Sequence, residues 1–222
     1  MTDTPAKEPM FNAPLLALFL PLLILGAYAL EITASPPVQK MLIDSFALNP
    51  ILVRSGQGEV LFTYMFLHGS WPAVLFNAAF IFVCGASLAR AVGRGWGGVL
   101  SYIAFFELCG IASGLAFCLA HMYDNIIVIG ASGAMSGLLG AAMRLPMFGS
   151  DGQKLKGLFS SGVIGMTVFW CIYNLYMSFG SGAAGQAQAG MAWESHLAGY
   201  FLGLFLIEPW LKAFHPRYFV TG

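Results

Sequence analysis

Five polar side chains interrupt the long apolar stretches of this chain: Asn77, Glu107, Ser132, Asn174 and His196. A polar group held in an apolar medium is costly, so each one is a candidate for chemistry. Serine and histidine together point to nucleophilic catalysis. A serine hydroxyl is a weak nucleophile until an adjacent base takes its proton, and a neutral imidazole is such a base at physiological pH. Attack on a carbonyl creates an oxyanion, which needs hydrogen-bond donors aimed at it. The Asn77 amide is one candidate donor. The backbone N–H groups of a helix opening at Ser132 are others, because the first turn of a helix leaves them unpaired. Gly130 and Gly133 flank the serine and give the backbone freedom to present them. Each residue also has a plainer reading: serine as a packing residue, asparagine as interhelical glue, Glu107 as a buried structural acid.

The elements that must position these groups follow from composition. The 222 residues are 58% hydrophobic and 9% charged, against about 25% charged in a soluble domain. With a mean hydropathy of +0.76, lipid is the expected solvent for most of the surface. The net charge is zero, which gives no basis for a nucleic-acid partner. Six stretches approach the roughly 20 apolar residues a membrane-spanning helix needs: roughly 10–30, 71–89, 96–120, 126–142, 157–179 and 193–210. The first is too long for a signal-peptide apolar region and is expected to be retained. This predicts one all-α, polytopic membrane domain with a short tail, residues 1–9. Cys84, Cys109, Cys118 and Cys171 lie in apolar stretches and read as packing residues.

Basic residues set the expected orientation. Lys7, Arg90, Arg94, Arg144, Lys154, Lys156, Lys212 and Arg217 fall on one side of this plan, and Lys40 and Arg54 on the other. That bias places both termini in the cytoplasm. The short tail and the absence of a transit peptide point to a bacterial inner membrane. Counted along the spans, Asn77, Ser132 and His196 then share the outer third of the bilayer. Glu107 and Asn174 read as lying nearer the middle. Ser132, Ser136 and Gly140 recur at helical spacing, with Gly133 and Gly137 beside them; His196, Gly199 and Gly203 share a face of the last span. Small residues let helices approach closely in lipid, which would bring the serine and histidine within reach. Two outer connections stand out: residues 31–67, long and apolar enough to pack on the outer leaflet, and residues 180–190, a mobile lid or linker.

Rival hydrolytic chemistries lack their motifs. There is no HExxH for a zinc protease, no aspartate within a span for an aspartyl dyad, and no GxSxG elbow. No metal or cofactor is implied.

At these residues the sequence resembles the rhomboid family of intramembrane serine proteases. FTYMFLHGSWPAVLFNAAFIFVCG (residues 62–85) looks like the family's second-helix region. IGASGAMSGLLGA (129–141) looks like its GxSG nucleophile motif, and AWESHLAGYFLG (192–203) like its sixth-helix histidine with the following glycine. The resemblance implies a six-helix bundle with Ser132 as nucleophile and His196 as base. It implies Asn77 and the Ser132 N–H in the oxyanion hole. His68 would brace the long first loop, and Gly199 would let helix 6 approach helix 4. Substrates would be single-span membrane proteins cut near the outer face, admitted by a sideways movement of span 5. The chain departs from the family at Ala73, where a second histidine is common four residues before the asparagine. It also lacks a glutamate near the inner end of helix 2, where residues 86–90 read ASLAR, and the Trp-Arg pair of the first loop. Two alternatives remain: a catalytically silent rhomboid-like protein that binds membrane helices, and a small transporter using Glu107 and Asn174.

Overall fold

The computed structural model describes residues 14–146, 155–180 and 192–219. The regular elements among them are helices: α1 (Phe19–Thr33, entered through a 3₁₀ turn at Leu15–Leu18), α2 (Pro36–Phe46), α3 (Pro50–Arg54), α4 (Val60–Thr63), α5 (Trp71–Val92), α6 (Trp96–Ala120), α7 (Ser132–Arg144), α8 (Ser161–Leu175) and α9 (Trp193–Phe214). Five segments are long and apolar enough to cross a membrane: Leu15–Thr33, Trp71–Val92, Trp96–Ala120, Ser161–Phe179 and Trp193–Phe214. The sixth member of the bundle is α7, with only 13 residues.

Local sequence sets the helix boundaries. The Ser70 hydroxyl caps α5 by accepting the Ala73 N–H at 3.3 Å, with Pro72 in the first turn where no N–H is required. Gly93 and Gly95, at φ 75° and 97°, reverse the chain between α5 and α6 in a conformation that favours glycine.

At the centre lies α7, enclosed by α5, α6 and α9, with Gly133 to Ala142 and Arg144 all buried. Its packing is backbone against backbone. A Cβ on Gly199 of α9 would fall on the Gly133 carbonyl oxygen; one on Gly203 would fall on that of Gly137; one on Gly140 would fall on that of Tyr200. The two small faces therefore meet along their length. At the C-terminal end of α7, the buried Arg144 guanidinium pairs with Glu208 at 2.6 Å and donates to the Lys156 carbonyl at 3.0 Å. Outermost, α1 packs on α5. Of the five long spans α8 is the least buried.

The expected helix over 126–142 starts only at Ser132. Residues 126–131 hold no helix, although their apolar character reads as part of a span. Ile126, Ile127, Val128 and Ile129 are β-branched and favour extended backbone. Their polar groups are satisfied by the outer loop instead: Leu48 and Val128 exchange both backbone hydrogen bonds (3.0 and 2.9 Å), and the Gly130 N–H reaches the Tyr64 carbonyl at 2.9 Å. Non-helical backbone inside a membrane protein is tolerated where protein covers it in this way. The loop is pinned at further points. Asn49 donates to Asn125 at 2.9 Å, and Arg54 to the Met122 carbonyl at 3.1 Å. The connection over 31–67 is thus mostly helical, and α2 buries none of its residues, exposing Val38, Met41 and Phe46. Most of the expected connection over 180–190, with the tail and Lys154, lies outside the described residues.

Candidate active site

Ser132 is the first residue of α7 and His196 sits in the first turn of α9. The seam of glycines between these helices brings the Ser132 Oγ to 2.8 Å from His196 Nε2. The imidazole is buried, while the serine keeps partial access. Behind the ring, His196 Nδ1 lies 2.8 Å from Asn174 Oδ1 on α8. Asn174 is fully buried, and its own amino group donates to the Trp170 carbonyl one turn back, at 2.8 Å.

The sequence reading set Asn174 apart from the serine and histidine, and the structure brings all three together. Residue 174 is close to the C-terminal end of α8, whose membrane-length segment stops at Phe179. Only five residues separate it from that end, the end of the bundle at which α7 and α9 begin with Ser132 and Trp193. Counting from the C-terminal end of the span, rather than placing the residue near its middle, reveals this. Trp170 is buried in the bundle and stacks near Tyr200 at 6.4 Å between ring centroids. Tyr200 and Thr167 share a hydrogen bond of 2.8 Å, a second polar link between α8 and α9.

On the other side of the serine stands Asn77, nearly two turns into α5 and 5% exposed. Its Nδ2 donates to His68 Nε2 at 3.1 Å. His68 is buried between the outer loop and α5. Its backbone N–H is accepted by the Glu31 carboxylate at 3.3 Å, and its ring packs edge-on to Tyr28. Burial pushes the His68 imidazole down to about 4, which favours the neutral ring, and the Asn77 amino group facing Nε2 can only donate, so Nε2 accepts. Gly130, at φ 115°, turns the backbone just before the serine, and a Cβ there would lie 3.7 Å from Asn77 Nδ2. Asn77 and the head of α7 are therefore neighbours. The first α-helical bond of α7 is made by the Met135 N–H to the Ala131 carbonyl. The Ser132, Gly133 and Ala134 N–H groups precede it and have no carbonyl of their own helix to reach.

The other singled-out groups lie elsewhere. His121 joins Asp124 at 2.9 Å and Glu194 at 3.4 Å, clamping the C-terminal end of α6 to the start of α9. His215 and Trp210 both hydrogen-bond the Ser101 hydroxyl, at 2.7 and 2.8 Å. Glu107 is half-buried in α6.

These features define a polytopic helical membrane protein that holds a hydrogen-bonded serine and histidine inside its bundle. The chain belongs to the Rhomboid family: the Rhomboid domain model matches residues 55–212, a stretch that includes His68, Asn77, Ser132, Asn174 and His196. It is also similar to the RHOMBOID-like protein 5 of Arabidopsis thaliana, with 26% identity over 179 residues covering 79% of this chain and 53% of that protein. The chain thus spans about half the length of that relative. Members of the family are generally intramembrane serine proteases.

Proposed function

We propose that this protein is an intramembrane serine endopeptidase that cleaves transmembrane substrates near the outer membrane face. The observation that carries the reading is the 2.8 Å hydrogen bond from Ser132 Oγ to His196 Nε2 within a membrane-spanning bundle. As the Ser132 oxygen attacks the scissile carbonyl carbon, its proton passes to His196 Nε2. The tetrahedral oxyanion is held by the Ser132 N–H and the Asn77 amide. The imidazolium then gives its proton to the departing amine, leaving an ester on Ser132. Water, deprotonated by His196, hydrolyses that ester and restores the serine. No residue of this scheme calls for a metal or cofactor.

Depth supports the choice of cleavage site. From Ser132 to the charged inner end at Arg144, α7 rises about 18 Å, well short of the roughly 30 Å hydrocarbon core. With Arg144 at the inner boundary, the nucleophile sits below the outer surface, and water reaches it from outside. The basic-residue bias supports cytoplasmic termini.

The test is labelling of the purified protein with a fluorophosphonate. The expected result is attachment at Ser132, lost in Ser132→Ala and His196→Ala and unaffected by EDTA. Labelling that persists in Ser132→Ala, or that a chelator abolishes, overturns the serine mechanism.

A further inference from the structure

We propose that Asn174 is a third, positioning member of the site, which fixes the tautomer of His196 through a hydrogen bond from Nδ1 to its amide oxygen. The inference rests on the protease reading for its kinetic consequence, but not for its structural content.

A neutral imidazole has one N–H and one lone pair, and either nitrogen can hold the proton. Only the form protonated at Nδ1 leaves Nε2 free to accept the Ser132 proton. What selects that form must be an acceptor placed at Nδ1. Asn174 Oδ1 stands there at 2.8 Å. An amide can turn over and present its donor instead, which would impose the opposite tautomer. Here the other end of the amide is tied, because Nδ2 donates to the Trp170 carbonyl at 2.8 Å. A carbonyl oxygen only accepts, so the amino group belongs on the Trp170 side and the oxygen on the histidine side. Asn174 is fully buried, so water does not compete for either bond. The arrangement is the logic of a nucleophile–histidine–amide triad, as in cysteine proteases that use asparagine in third place. The same oxygen stabilises the imidazolium formed during attack, since that ion donates from both nitrogens.

The role has a signature distinct from that of a packing residue. In protein carrying ¹⁵N-labelled histidine, with spectra assigned by loss of the signal in His196→Ala, His196 of the wild type is expected to show the proton on Nδ1. A proton on Nε2 in the resting wild type overturns the proposal without any variant of Asn174. Asn174→Ala is expected to shift the ring toward a mixture of tautomers and to lower kcat about 10–10²-fold on a transmembrane substrate, with KM changed less than about twofold. Asn174→Asp, which keeps an acceptor at the same place, should recover much of the lost rate. A folded Asn174→Ala protein with the wild-type tautomer and kcat would show that the contact is only packing. Failure of fluorophosphonate to label wild-type Ser132 would instead remove the protease reading, while the nitrogen spectra would still report on Asn174.

Discussion

Asn77 has one amino group with two hydrogens, and the structure uses one of them. That hydrogen goes to His68 Nε2, which is held neutral by burial and anchored through its backbone to Glu31. The second hydrogen is left for the oxyanion. With Ala73 in the position one turn earlier, no side-chain donor stands there to share the task. Asn77→Ala is therefore expected to lower kcat about 10²–10³-fold, the usual cost of losing an oxyanion donor. Substrate binding should change little, because the contact strengthens only as charge develops on the oxygen. Steady-state cleavage of a transmembrane substrate in liposomes measures both quantities. A kcat within about twofold of wild type would assign Asn77 to interhelical packing instead. That Ser132 and His196 meet, with Asn77 beside the head of α7, was legible in the sequence from their types and helical spacing. The link from Asn77 to His68 was not, because it depends on how the outer loop folds back onto α5.

The seam between α7 and α9 is made of backbone, and this governs how it responds to substitution. At Gly199 an added side chain meets the Gly133 carbonyl oxygen, which cannot rotate out of the way. Relief comes only by moving one helix against the other, and those helices carry Ser132 and His196. A misplacement of about 1 Å can cost roughly 10²-fold in rate. Gly199→Val should thus impair cleavage severely, although residue 199 touches no substrate. Gly162→Val, on α8 with nothing within 4 Å of its Cβ position, is the matched control and should cleave normally. A well-folded Gly199→Val enzyme with near-normal activity would contradict the geometry. The small-residue spacing announced this seam from the sequence alone. Two elements were harder to read. Hydropathy cannot tell the extended run at 126–131 from a helix, because isoleucine and valine are apolar in both. Asn174 was hidden by its place on α8, where position along the span had to be counted from the far end.

At the scale of the molecule, a helical membrane bundle and its five long spans were evident from apolar length, yet α7 differs in kind from the rest. It is short and almost wholly buried, so its environment is protein rather than lipid. The face carrying Ser132 and Gly140 looks at α9, and Ser136 lies between them and is fully buried. Synthesis runs from the N-terminus, so α7 is made well before the helix that covers it. In a cysteine-free background, Ser136→Cys should resist a membrane-permeant maleimide in the full chain and react readily in a chain ending at residue 180. Equal protection in the two would mean that other helices suffice to cover that face. The consequence concerns safety during biogenesis. On the proposed mechanism, a nascent or prematurely terminated chain holds Ser132 in the membrane without His196, so the site is assembled only once the last span has been made and docked.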